Sequence, residues 1–169
     1  HSFPTRRSSD LRERHVKIRP VVHGSQSIES TRGASSAFQN PFVALKRPNC
    51  DESLGEVYGF SLVYSGNFLA EVEVNQYDVT RVSMGINPFD FRWVLKPGEQ
   101  FQTPEVVMVY SAQGLNGMSQ TYHRLYRTRL ARGTWRDRER PVLINNWEAT
   151  NFNFDEEKIL SLARAASKL

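Results

Sequence analysis

A long stretch of alternating residues, from 55 to 111, most strongly constrains what this chain can fold into. It consists of short runs rich in Val, Tyr and Phe, separated by turn residues such as Ser65-Gly66-Asn67 and Pro97-Gly98. Aromatic and β-branched side chains in this alternation favour strands with one buried face. We therefore predict an antiparallel meander over residues 55–86, a last strand at 105–111, and a sandwich of two packed sheets.

The hydrophobic period changes after residue 112. Apolar side chains then recur at the spacing of one helix face, and Gly133 supplies a stop signal. The side chains of this face are Leu115, Met118, Tyr122, Leu125 and Tyr126. This pattern predicts a helix over residues 114–132, followed by a polar linker to residue 140.

The stretch from 140 to 154 reads RPVLINNWEATNFNF and begins as a short apolar run. We predict a strand at 142–146, which either delivers a sugar-binding face to a pocket or simply leaves the core into a polar loop. A helix follows, with Asn153 or Asp155 as its N-cap and Glu156 three residues after Asn153. Its predicted apolar face comprises Ile159, Leu162, Ala163 and Ala166.

Both ends of the chain suggest a fragment. One strand and one helix cannot bury their own apolar surface, so residues 142–169 are expected to open an α/β domain that the chain does not complete. The first residues, HSFPTRRSSDL, resemble a translated sequencing adapter, so residues 1–11 are expected to carry no biology.

Composition excludes several classes of protein. A hydrophobic content of 39% supports a globular core, and the single cysteine, Cys50, forms no internal disulfide. No apolar run reaches the roughly 18 residues of a membrane span. The arginine-rich run at 124–140 includes acidic residues, which favours a solvated helix face and linker over a nucleic-acid surface.

Four ordered blocks of the sequence resemble the α-galactosidases of glycoside hydrolase family 36. They are QSIESTRGASSAFQNPF, GEVYGFSLVYSGNFLAEVEVNQYDVTRVSMGINPFDFRW, PGEQFQTPEVVMVYSAQGLNGMSQTYHRLYR and RPVLINNWEATNFNFDEEKIL. The resemblance implies a mainly β fold, with an N-terminal β-supersandwich over residues 12–112. A connector helix and linker over 113–140 and the first βα unit of an incomplete (β/α)8 barrel over 141–169 follow.

The resemblance also implies a substrate-binding residue. Trp147 corresponds to an aromatic side chain that packs near bound galactose, where the C–H face of the sugar lies on the indole and sheds water. The alternative is that Trp147 caps the barrel core. Asn146 and Glu148 are candidates for supporting hydrogen bonds beside it. The chain departs from the family pattern at Asn151, where Tyr is common, and at Asn153, where Asp is common.

We assign no catalytic residue. Retaining glycosidases use two carboxylates about 5 Å apart, and the resemblance implies that both follow residue 169 on later barrel strands. Asp90 lies in the β-domain and matches neither role. The resemblance implies no cofactor and no metal.

By the same resemblance, the complete protein is expected to release terminal α-linked galactose from raffinose-type oligosaccharides, whereas the fragment alone is expected to be inactive. The implied enzyme is bacterial and cytoplasmic, a homotetramer with no nucleic-acid or membrane partner. Residues 24–42, with Arg32 and Phe38, are candidates for a subunit contact, and the alternative is that they form ordinary loops of the sandwich. The competing interpretation is a non-catalytic carbohydrate-binding or oligomerisation β-sandwich module, which does not explain the C-terminal strand and helix.

Overall fold

The computed structural model describes residues 18–35 and 39–168, so the predicted adapter segment 1–11 and Phe38 lie outside the described residues. Within these described ranges, six strands form two three-stranded antiparallel sheets, β1-β4-β5 and β2-β3-β6. The strands are β1 (Gly24–Glu29), β2 (Phe42–Lys46), β3 (Val57–Leu62), β4 (Phe68–Val74), β5 (Thr80–Ile86) and β6 (Val106–Ser111). The prediction of a mainly β chain with two packed sheets is confirmed.

The predicted meander is wrong at its first turn. Strand β3 pairs with β2 and β6, and β4 pairs with β1 and β5, so Ser65-Gly66-Asn67 carries the chain from one sheet to the other. Strand β3 is covered on both faces, because Val57 and Leu62 lie on opposite faces of the strand and are both buried. A short turn signal does not distinguish a hairpin from a crossover, and only β4 and β5 form a hairpin of consecutive strands in this stretch.

The core between the sheets is small and apolar. Leu62 of β3 packs with Phe68 and Ala70 of β4, and the exposed fractions of these side chains are 3%, 0% and 1%. Partly buried side chains from both sheets surround them, namely Ile28, Val43 and Met84. Burial of this cluster holds the sandwich together, since the free energy gained scales with apolar area removed from water.

Helix α1 (Gly114–Leu125) covers the other face of the β2-β3-β6 sheet. The Tyr122 hydroxyl donates to the Val107 carbonyl at 2.9 Å, and its ring meets Phe42 edge to face at 5.6 Å. The helix predicted to residue 132 changes form at Leu125: residues 126–130 make a π-helical turn closed by the Ala131 N–H on the Tyr126 carbonyl.

The chain divides into two compact units, with the boundary between Arg124 and Leu125. The second unit contains a short 3₁₀ turn (Thr134–Arg136) and two helices, α2 (Trp147–Thr150) and α3 (Glu156–Ala166). Among the described residues, no helix is both long enough and apolar enough to cross a membrane.

The strand predicted at 142–146 does not form in this chain. Residues 141–146 have no ladder partner among the described residues, and Val142 and Leu143 are 93% and 89% exposed. A strand requires hydrogen bonds to a neighbouring strand, so apolar character alone does not produce one. The helix after it is confirmed, and its N-cap is Asp155, whose carboxylate accepts from the Lys158 N–H at 2.9 Å. Glu156 is therefore the first residue of α3 and completes no capping box.

Candidate functional site

The candidate site is the turn that follows the apolar run, and its asparagines organise its backbone. The Asn145 carboxamide oxygen accepts from the Trp147 N–H at 3.0 Å. The Asn146 carbonyl accepts from the N–H groups of Ala149 and Thr150 at 3.1 and 3.0 Å. Local bonds of this kind are what Asn side chains and carbonyls provide at helix starts, so the paired asparagines set where α2 begins.

Asn146 and Thr150 then tie α2 into a closed turn. The Asn146 side-chain amide donates to Thr150 Oγ1 at 2.8 Å, and Thr150 Oγ1 donates to the Asn146 carbonyl at 3.1 Å. Both residues are half-buried. The sequence prediction of a supporting role for Asn146 did not include Thr150, which had no signal beyond its spacing of four from Asn146.

Trp147 lies on the exposed side of this turn, with 46% of its surface accessible. Its ring meets the ring of Phe152 nearly at right angles, with centroids 4.9 Å apart and an interplanar angle of 86°. This edge-to-face arrangement is a preferred aromatic geometry. Phe152 was missed by the sequence analysis, because a spacing of five residues faces neither a regular helix nor a strand partner.

Asn151 produces the chain reversal that brings the two rings together. Its φ is 49° and its ψ is −124°, a combination outside the αL well, and its N–H donates to the Trp147 carbonyl at 2.8 Å. This hydrogen bond closes the turn around a backbone conformation that residues with a side chain rarely adopt.

Glu148 and Asn153 flank the turn differently. Glu148 is exposed, and the structure describes neither a hydrogen bond nor an ion pair for it within residues 125–168. Asn153 accepts from Lys158 Nζ through its carbonyl at 3.1 Å and through its side chain at 3.3 Å. Asn153 thus links the turn to α3.

The chemistry of the site is that of a binding surface. The Asp155 carboxylate is engaged as a helix cap. Across the part of the chain that the structure describes, no three His, Cys, Asp or Glu side chains gather where they could hold a metal ion. The site exposes the Trp147 indole beside the polar amide of Asn146.

Two family models match successive parts of the chain. Residues 11–96 match the family model described as glycosyl hydrolase family 36 N-terminal domain. Residues 100–169 match the model described as melibiase. Together the two matches cover the β-sandwich and the segment that carries Trp147.

Individual relatives are similar over most of the chain. Alpha-galactosidase AgaA of Geobacillus stearothermophilus is 72% identical over 158 residues, which are 94% of this chain and 22% of that protein. Crystal structures of substituted variants of that GH36 alpha-galactosidase, one in complex with raffinose and one with stachyose, each align with a TM-score of 0.80 at 72% identity. Each alignment covers 89% of this chain and 21% of the solved chain. The chain thus spans about a fifth of the length of these relatives.

Proposed function

The chain belongs to glycosyl hydrolase family 36, and from this premise we propose that the whole protein is an α-galactosidase. Its proposed reaction is hydrolysis of terminal α-linked galactose from raffinose-type oligosaccharides, with retention of configuration. The observation that carries the proposal is 72% identity over 94% of the chain to an alpha-galactosidase. Complexes of variants of that relative with raffinose and stachyose support the substrate class.

Within this reaction, Trp147 is proposed to bind the galactosyl ring. The residue is 46% exposed, and its backbone is held at both ends by the Asn145 side chain and the Asn151 N–H. The C–H face of galactose is apolar and loses water on contact with such a ring. Asn146 supports the turn, and Glu148 is proposed as a hydrogen-bonding neighbour of the binding site.

The proposed domain division places this turn at the rim of a barrel. Residues 12–112 are assigned to the β-supersandwich, 113–140 to the connector, and 141–169 to the start of a (β/α)8 barrel. Barrel enzymes carry their chemistry at the carboxyl ends of the strands, and the turn follows directly after the exposed apolar residues Val142 and Leu143. Pairing with neighbouring barrel strands would bury those two side chains.

The two catalytic carboxylates of a retaining mechanism, about 5 Å apart, are proposed to belong to later barrel strands. The present chain is therefore proposed to be inactive by itself. We further propose a bacterial, cytoplasmic homotetramer that needs no cofactor, as the family resemblance implies, with residues 24–42 as a candidate subunit contact.

The test compares the uninterrupted gene product with the present chain. We expect the gene product to release p-nitrophenol from p-nitrophenyl α-galactoside and galactose from raffinose, and the 169-residue chain to release neither. A gene product that binds raffinose without cleaving it would instead support the non-catalytic β-sandwich module.

A matched pair of tryptophans tests the site. Trp147→Ala is expected to raise KM for raffinose, because a stacking surface is lost. Trp135→Ala is the control, since Trp135 lies in the same unit and is 45% exposed against 46% for Trp147. Equal effects of the two substitutions would remove Trp147 from the binding site.

A further inference from the structure

Phe152 is an exposed aromatic residue whose position is nevertheless fixed. Its accessible fraction is 87%, yet its ring meets Trp147 at 4.9 Å between centroids. A large apolar side chain at this exposure gains little from burial. The contribution of Phe152 therefore comes from its contact with the ring of Trp147 and not from burial in the core.

The backbone on both sides of Phe152 is anchored to α2. The Asn151 N–H donates to the Trp147 carbonyl at 2.8 Å, and the Asn153 N–H donates to the Thr150 carbonyl at 2.9 Å. Lys158 then fixes Asn153 through two further hydrogen bonds. With both neighbours hydrogen-bonded, the backbone at Phe152 is held where its ring can contact Trp147.

The edge-to-face contact restricts the indole. A half-exposed Trp side chain turns about two torsions, and each orientation offers a different surface to a sugar. A neighbouring ring at 86° favours the orientations that keep the contact. A side chain that is ordered before binding loses less conformational entropy when the ligand arrives.

We propose that Phe152 is a positioning residue that holds the plane of Trp147 for stacking against the galactosyl group of the substrate. This inference rests on the proposed function. It adds the residue that orients the binding surface, and it assigns Phe152 no contact with the reacting atoms.

The kinetic test uses the uninterrupted gene product. Phe152→Ala is expected to raise KM for raffinose about two- to tenfold with kcat changed less than about twofold, because an ordered binding surface is lost while the reacting groups are untouched. Phe152→Tyr retains the aromatic ring and is expected to behave as the unchanged enzyme. Phe152→Leu retains apolar bulk without the ring and is expected to raise KM.

Phe154→Ala is the matched control, because Phe154 is also exposed, at 52%, and stands two residues further along the same segment. It is expected to leave KM unchanged. The proposal is overturned if Phe152→Ala and Phe152→Leu leave KM unchanged, if kcat falls while KM stays constant, or if Phe154→Ala raises KM as much. If Phe152→Ala fails to fold, the Tyr and Leu variants decide.

A spectroscopic test separates this proposal from the proposed function. The uninterrupted gene product is labelled with 5-fluorotryptophan, so that Trp147 contributes a fluorine resonance alongside Trp93, Trp135 and any tryptophan outside the present chain. Phe152→Ala is expected to shift the Trp147 resonance alone, identified by its absence in Trp147→Phe. An unshifted resonance overturns the positioning role even if the enzyme is an α-galactosidase. A shifted resonance in a gene product without galactosidase activity rejects the proposed function and leaves the contact itself established.

Discussion

Gly59 of β3 lies so close to Met118 of α1 that a Cβ atom at Gly59 would stand 2.6 Å from the Met118 sulfur. The same Cβ would lie 2.8 Å from the ring of Tyr122 and 3.1 Å from its hydroxyl. That hydroxyl is held by the Val107 carbonyl at 2.9 Å. The helix therefore packs against the bare backbone of the sheet at this position, and Tyr122 has little freedom to move aside.

Gly59→Ala is expected to lower the free energy of unfolding by about 1–3 kcal/mol, the usual cost of an added methyl group in a filled space. Gly85→Ala is the control, because Gly85 also lies in a strand and a Cβ there meets nothing within 4 Å. That substitution is expected to be neutral or stabilising by about 0.5 kcal/mol. Urea unfolding measures both changes, and equal stabilities of the two variants would contradict the close packing of α1.

Asn87 joins the end of β5 to β1 and β4, and its side chain is 2% exposed. Its amide donates to Glu29 Oε2 at 2.8 Å and to the Phe68 carbonyl at 3.2 Å, and its oxygen accepts from the Phe89 N–H at 2.9 Å. Asn87→Leu leaves these groups without their partner and is expected to cost about 1–3 kcal/mol of unfolding free energy.

Asn87→Asp tests the donor role of the Asn87 amide more directly than Asn87→Leu does. It keeps the shape and the acceptor for Phe89, but it directs an anionic oxygen at the Glu29 carboxylate and the Phe68 carbonyl. We expect it to destabilise the domain at pH 7 at least as much as Asn87→Leu does. Chemical denaturation compares the two, and wild-type stability of Asn87→Asp would show that the amide donates nothing there.

Asp51 introduces a pH dependence into the loop before β3. Hydrogen bonds from the backbone N–H groups of Ser53 and Leu54, at 2.7 and 2.8 Å, lower the pKa of its carboxyl, and Lys46 adds a smaller effect in the same direction. A pKa below that of the unfolded chain means that the stabilisation is complete above about pH 4 and is lost as the pH falls through the folded-state pKa.

Asp51→Asn removes this titration, so its unfolding free energy should lie below that of the wild type at neutral pH and approach it in acid. Thermal melts between about pH 2 and pH 6 measure the convergence. A constant difference across that range would place the stabilisation outside the charge of Asp51.

The strands and the helical face of α1 were predictable because their periods are local properties of the sequence. Val57 and Phe68 are buried residues of strands in which buried and more exposed side chains alternate, and Met118 and Tyr122 lie on the buried face of α1. Sheet order was not predictable in the same way. Sheet order depends on residues that are far apart in the sequence. Strand β3 buries side chains on both faces, and it pairs with β6 across more than 40 residues of intervening chain.

The candidate site was likewise predictable only in part. Trp147 was identified by resemblance, whereas its contact with Phe152 depends on the positive φ of Asn151, which the sequence permits but does not require. The expected strand at 142–146 failed for the converse reason. The apolar residues of this segment are typical of a buried strand. A strand also needs a neighbouring strand to pair with, and the described residues supply no such strand.

Thr150 provides the last test, because its hydroxyl both accepts from the Asn146 side chain at 2.8 Å and donates to the Asn146 carbonyl at 3.1 Å. Thr150→Val keeps the shape and removes both bonds, which is expected to loosen α2 by about 1 kcal/mol. The Asn151 amide, bonded to the Trp147 carbonyl, should then exchange with deuterium roughly fivefold faster, in proportion to that free energy. Thr150→Ser retains the hydroxyl and should exchange as the wild type does. If both variants exchange at the wild-type rate, the Thr150 hydroxyl does not close the turn.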